Sequence, residues 1–249
     1  MKRSRAALLH IVLNLLLLSV CAGLALYLWY PHPFRHLPDS GRFSLLLIAS
    51  AAIVLPALTW LVNKPGKSGR ALAFDLVLIG LIQVAAMTWG AYTMYLARPY
   101  FMVFAVDRFE ILSRRDVTYP VTNPAFLDKP LTGPLILFAN MPSDTEQFQK
   151  LLREVMFEGK PDLPFRPEFW SAYAERQHLV LQVARPLSNL RRARPAAAAD
   201  IDALVQDNGG EIGGLQYIPG MIGHGNFTVV VEAKSGAIRG YLGTDPWTK

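Results

Sequence analysis

A chain of 249 residues with a formal net charge of +6 and a pI near 9.5 invites a nucleic-acid reading, yet its charge sits in the wrong place for one. Before residue 98, eight Lys and Arg stand against two Asp and Glu, a net +6; from Arg98 onward 17 of each sign cancel. A phosphate-binding groove loads charge onto a soluble domain, whereas here the charge flanks apolar segments, so nucleic acid is excluded as the partner and the basicity is topogenic.

Three apolar runs open the chain, at about residues 6–30, 43–62 and 72–95. Each is about the 20 residues that a helix needs to cross the hydrocarbon core, and in lipid such a run must be helical to satisfy its own backbone. The sequence therefore predicts a membrane domain over 1–97 with three transmembrane helices. A soluble α+β domain is expected over 98–249. Lys2, Arg3 and Arg5 precede the first run, and Lys64, Lys67 and Arg70 precede the third. The positive-inside rule then places the N-terminus in the cytoplasm and the C-terminal domain in the periplasm, with Trp29, Tyr30, Tyr92 and Tyr95 as aromatic anchors at the outer interface. The first run is too long for a signal-peptide core. Cys21, the only cysteine, has Val20 before it where lipoprotein processing needs a small residue, so it reads as packing within a helix.

Polar and small residues within these runs are candidate partner contacts. Asn14 lies in the first and Gln83 near the centre of the third, where such side chains seek another helix. Ala86 and Gly90 form a small-residue stripe that admits close approach; contact among the chain's own helices is the plainer reading of both features. Pro56 is expected to kink the second run, and Asp75 suits a helix N-terminus.

An ordered set of residues then carries a resemblance. Tyr30-Pro31-His32-Pro33-Phe34 closes the first run, and Asn63-Lys64-Pro65-Gly66-Lys67 precedes the third. Gly90-Ala91-Tyr92-Thr93-Met94-Tyr95-Leu96-Ala97-Arg98-Pro99 closes the third, and Val103-Phe104-Ala105-Val106-Asp107-Arg108-Phe109-Glu110 comes next. Together these resemble the TfpX/TfpZ family of type IV pilin accessory proteins, closely from about residue 25 to 115 and more loosely beyond. The resemblance implies a bacterial inner-membrane protein that binds and stabilises the major type IV pilin and modulates pilus assembly. The implied partners are that pilin, the lipid bilayer and other pilus assembly proteins.

In the soluble half, residues 98–106 and 135–139 read as strands too apolar for an edge, joined by a Pro-rich connection. Ser143 with Glu146 spells a capping box ahead of a helical stripe from Phe148 to Met156. A second helix is expected from Pro167 through Tyr173, and a third over 196–205. Residues 179–183 read as strand or helix end. The chain closes with strands at 216–218, 228–233 and 237–242, the last two joined at Lys234-Ser235-Gly236.

Chemistry is sparse. No nucleophile elbow, phosphate loop or paired cysteines occur, so neither a catalytic residue nor a cofactor or metal site is assigned. His32 and His36 have Pro33 between them, which argues against a helical metal pair, and the Gly-rich stretch 208–214 reads as a turn. Asp107, Arg108, Phe109 and Glu110 form a charged step that is either local ion pairing or a partner contact. Two functions from different classes fit these residues. One is a non-enzymatic pilin accessory protein; the other is a membrane-anchored periplasmic hydrolase in which His224 would meet a carboxylate and a hydroxyl.

Overall fold

The computed structural model describes residues 68–223 and 225–247, together with positions 8, 12–13, 16–17, 19–20, 23–24, 27–31, 33–34, 58 and 61. Chain contacts divide the protein into two compact units, Met1–Trp29 with Pro38–Ala97, and Tyr30–Leu37 with Arg98–Lys249.

In the first unit the principal element is helix α1, Gly69–Ala97. Ser68 starts it, its hydroxyl oxygen accepting the Ala71 N–H at 3.3 Å, and Arg98-Pro99 stops it, because the residue before a proline is driven out of the helical region. At 29 residues α1 is long and apolar enough to cross a bilayer. Only 12% of its most apolar stretch is buried within the chain, so it is not the core helix of a soluble fold.

The expected architecture of three transmembrane helices and an α+β domain is corrected by this structure. Among the described residues one helix has the length and composition of a span, and beyond it the chain folds into a mixed α/β half-barrel sheet. The other two expected spans, at about 6–30 and 43–62, lie mostly outside the described residues. Apolar run length alone produced the three-helix expectation, and it does not register where a run is claimed by a fold. Tyr30 illustrates this: expected as an interfacial anchor, it is 1% exposed and belongs to the second unit. Trp29, in the first unit, packs edge-on against Tyr95 with ring centroids 5.5 Å apart.

Among the described residues the second unit is built on eight strands: β1 (Phe101–Ala105), β2 (Arg108–Leu112), β3 (Leu135–Ala139), β4 (Trp170–Ala172), β5 (Arg185–Pro186), β6 (Leu215–Ile222), β7 (Gly225–Glu232) and β8 (Ile238–Leu242). Their order is β4-β3-β1-β2-β6-β7-β8, with β5 also pairing to β6. The β1–β3 and β2–β6 pairs are parallel and the rest antiparallel, so the sheet is mixed. β1 is buried along its whole length, as its doubly apolar pattern requires of a central strand.

Side-chain alternation sorts the core onto two faces. Met102 and Phe104 of β1, Phe109 and Ile111 of β2, Ile218 of β6 and Val229 and Val231 of β7 share one face with Tyr173 and Val180. Phe101 and Val103 point the other way, against Leu151, Leu163 and Trp170. Further along the sheet Tyr217 and Val230 pack under Leu187, Leu190 and Ile201. Phe34 joins the first face at 3% exposure, edge-on to Phe227 at 5.8 Å and tilted against Tyr241 at 5.5 Å.

Several local expectations move. Helix α2 (Thr145–Phe157) is capped by Asp144, whose carboxylate accepts the Gln147 N–H at 3.0 Å, and not by Ser143. The helix expected from Pro167 is a single tight turn followed by β4 and the short α3 (Tyr173–Arg176). Sheet pairing wins there: β4 lies antiparallel on β3, and the Trp170 indole donates to the Pro164 carbonyl at 3.1 Å. Residues 177–182 form a 3-10 helix, α4 (Leu187–Ala193) was not foreseen, and α5 (Ala198–Asp207) matches the helix expected at 196–205. β6 runs through Pro219 and Gly220, where the Phe227 ring lies so close that a Cβ on Gly220 would come within 2.4 Å of it.

Candidate functional site

The parallel pairing of β1 and β3 brings their carboxyl ends to one edge of the sheet, and there the two connections part. β1 reverses at once into antiparallel β2, while β3 runs on through Asn140 towards α2. In open α/β sheets such a divergence leaves a crevice at the strand ends. Here it is a cleft of about 530 Å³ lined by Phe104, Phe138, Leu163, Leu179 and Val183, with Asn140, Ser143 and Gln182 among them. Arg176 is the one charged residue in its lining. Asn140, in the lining, is tied to β4 and the turn before it, its side-chain amide donating to the Phe169 carbonyl at 2.9 Å and to the Ser171 hydroxyl at 3.0 Å.

The lip of the cleft is a strained turn. Val106 has φ of 58°, and the Asp107 N–H donates to the Ala105 carbonyl at 2.7 Å, closing a γ-turn of the rare positive-φ kind. A β-branched residue is strongly disfavoured in that region, and strain of this sort gathers at functional sites. Val106 is 61% exposed, and Met141 at the end of the neighbouring strand is 46% exposed. The arrangement offers a crevice of mixed character, in which Asn140, Ser143, Gln182 and Arg176 interrupt the aromatic and aliphatic lining.

A second cleft, also about 530 Å³, is closed upon itself by ion pairs. Buried Arg166 binds Glu154 at 2.6 Å, donates to the Pro161 carbonyl at 2.8 Å and lies over the Tyr119 ring at 5.4 Å. Hydrogen bonds from Arg166 and Lys160 hold the Glu154 carboxyl below its usual range. Glu154 pairs with both Lys160 and Arg166, which makes the group a clamp between α2 and the loop before β4, while Arg166 Nη2 is buried without a hydrogen bond.

The residues singled out in the sequence fall in different places. Asn14 and His224 lie outside the described residues, so the contact of the first and the hydrolase role of the second rest on sequence alone. Gln83 and Gly90 share the covered stripe of α1, while Ala86 sits on its exposed flank. Thr93 donates to the Gly90 carbonyl at 2.8 Å. Asp107 and Arg108 pair at 2.8 Å, and the Arg108 guanidinium also lies 5.3 Å from the Trp247 ring. Phe109 is wholly buried against Phe104 and Tyr173, so its ring faces the core. Burial raises the Glu110 carboxyl above its usual range, with Arg108 opposing. Sequence reasoning missed Val106, Met141 and Arg176. The available signal was a valine at a two-residue hairpin tip, where glycine or asparagine belongs.

Comparison with known proteins bears on what this architecture is for. Residues 1–38 match the family profile described as "Fimbrial assembly protein FimB". The chain is 30% identical over 183 residues to the fimbrial assembly protein, serogroup I, of Dichelobacter nodosus, covering 72% of this chain and 70% of that protein. It is 31% identical over 183 residues to the serogroup E1 protein of the same organism, with the same coverage, and 36% identical over 111 residues to that of serogroups C1 and C2, covering 44% and 83%. No solved structure matches the chain. With a relative at 30% identity spanning 70% of its length, this chain belongs to the fimbrial assembly protein family.

Proposed function

We propose that this protein is a membrane-anchored, non-enzymatic accessory factor of the TfpX/TfpZ kind that binds type IV pilin, stabilises it before incorporation and modulates pilus assembly. Family membership supports a role in fimbrial biogenesis, and α1 is compatible with membrane anchoring. Lys64 and Lys67 before α1 and Arg70 in its first turn, against Arg98 directly after it, favour a cytoplasmic start of the helix and a periplasmic sheet domain in the inner membrane of a bacterium, because charges within a translocated domain count for little. The observation that carries the binding role is the cleft at the ends of β1 and β3, whose aromatic and aliphatic lining is interrupted by Asn140, Ser143 and Gln182 and holds one cation and no acid. An apolar partner segment with an acidic side chain fits it in shape and sign. Anchor and cleft acting on one partner reinforce each other through effective concentration.

The test is photo-crosslinking in intact cells with a crosslinking residue at position 106, alongside pilin levels in a deletion strain. The expected result is an adduct containing pilin and a fall in pilin abundance on deletion. Absence of the adduct together with unchanged pilin abundance sinks the reading.

A further inference from the structure

The end of the sheet opposite the cleft carries a different surface, organised by Tyr100. Its backbone is fixed on both sides, the N–H donating to the Leu112 carbonyl and the carbonyl accepting from the Leu135 N–H, each at 2.9 Å. Its hydroxyl donates to the Leu127 carbonyl at 2.9 Å, which ties in the loop before β3. Two guanidinium groups, of Arg98 and Arg114, each lie 5.5 Å from its ring centroid. Arg115 is exposed beside Arg114. Lys129 is close enough to Arg98 that, after burial, this neighbouring charge further lowers its ammonium pKa.

Four cations thus share one end of the domain with Asp116 and Asp128 as the acids of the same segments, and Asp116 is engaged by the Ser113 N–H at 2.6 Å. Between and beside them stand bare leucines: Leu127 is 39% exposed and Leu131 is 81% exposed. Apolar side chains set among cations are the composition of an interfacial membrane contact. Covalent connectivity supplies the occupant. Only Arg98, Pro99 and Tyr100 separate the last residue of α1 from the first of β1, a tether of at most ~14 Å. With α1 as the anchor, Tyr100 lies at most ~11 Å from the last residue of that helix, whatever the domain's orientation.

We propose that the exposed Arg114 and Arg115, together with the half-buried Arg98 and Lys129, dock this end of the sheet domain on anionic phospholipid headgroups, with Leu127 and Leu131 entering the interface. The proposal rests on the reading of α1 as the membrane anchor. It goes beyond anchoring because it fixes which end of the domain faces lipid and makes that contact depend on lipid charge.

The experiment uses the full chain in nanodiscs of phosphatidylcholine alone or mixed with phosphatidylglycerol, the lipids brominated in their acyl chains. Leu131→Trp supplies the probe, with the parent chain subtracted as background. The introduced indole is expected to be quenched in the phosphatidylglycerol discs, severalfold less in neutral discs or at high salt, and not at all when Arg114→Glu and Arg115→Glu are added. Hydrogen-exchange protection of β7 checks that each variant is folded. Quenching independent of lipid charge, or absent from discs that hold the protein, overturns the docking while leaving the anchor intact. Failure of the chain to enter discs at all removes the anchor and the docking together. Loss of fimbriation on charge reversal without any lipid-dependent quenching assigns the surface to an acidic protein partner instead.

Discussion

Replacing Phe34 with alanine tests the least expected contact in this fold. The ring is 3% exposed and touches Phe227 and Tyr241, so truncation removes nearly all of a buried phenyl group from the sheet's first face. Phe→Ala in a close-packed core costs about 3–5 kcal/mol, of which each aromatic contact supplies ~0.5–1.5. Phe34 sits in a short turn closed by its own N–H on the Pro31 carbonyl at 2.8 Å, so the site has some room to relax. That argues for the lower end, ~3 kcal/mol. The assay is native-state hydrogen exchange of the full chain in detergent, read at Val229–Val231, which are fully buried. A loss of ~3 kcal/mol speeds global-opening exchange there by just over two decades. Leu131→Ala, at an 81% exposed position, is the control and should leave exchange unchanged. Exchange in Phe34→Ala within a factor of about three of the parent would refute the packing of this turn into the sheet domain.

Gly220→Ala should destabilise by about 1–3 kcal/mol through overpacking against the Phe227 ring, and Phe227→Leu should rescue part of that loss in urea titrations. Val106→Gly relieves a disfavoured φ, so a net gain of ~1 kcal/mol is expected after the entropy of glycine is set against it. Melting temperature reads the stability, and crosslinking from Met141 reads the partner contact. Glu110 has a raised pKa in the folded protein, so stability falls as pH rises from the unfolded value through the folded one. Glu110→Gln should therefore raise the melting temperature at about pH 7 and do little at about pH 4; equal gains at both would contradict the burial argument.

How far the fold could be read in advance depended on how local its causes are. Leu135–Ala139 is legible to the residue because an apolar run between prolines has few alternatives. β2 was hidden by its charges: Arg108 and Glu110 drew attention as an ion-pairing step, although Phe109 and Ile111 alternate with them as a strand requires. β6 was cut short at Ile218 because Pro219 and Gly220 look like a stop. The glycine is there for the Phe227 ring across the ladder, a cause with no local trace. β4 failed for the same reason, since Trp170 obeys β3 and not its own helical pattern. Of the site, Asp107 and Arg108 were visible as charge and Phe109 as a buried-looking ring. The cleft was invisible, because it exists only where β1 and β3 part company, and no short window of sequence records that.

The position of Phe34 also sets an order in time. Its covering partners, Phe227 and Tyr241, lie close to the other end of the chain. At ~5–20 residues per second, synthesis leaves the ring uncovered for roughly ten seconds or more. The first face of the sheet therefore cannot close on this residue until β7 and β8 have been made, and a product truncated before β7 exposes a phenyl group that the folded domain hides. A ribosome that stalls before β7 leaves its visible flaw far upstream, at residue 34.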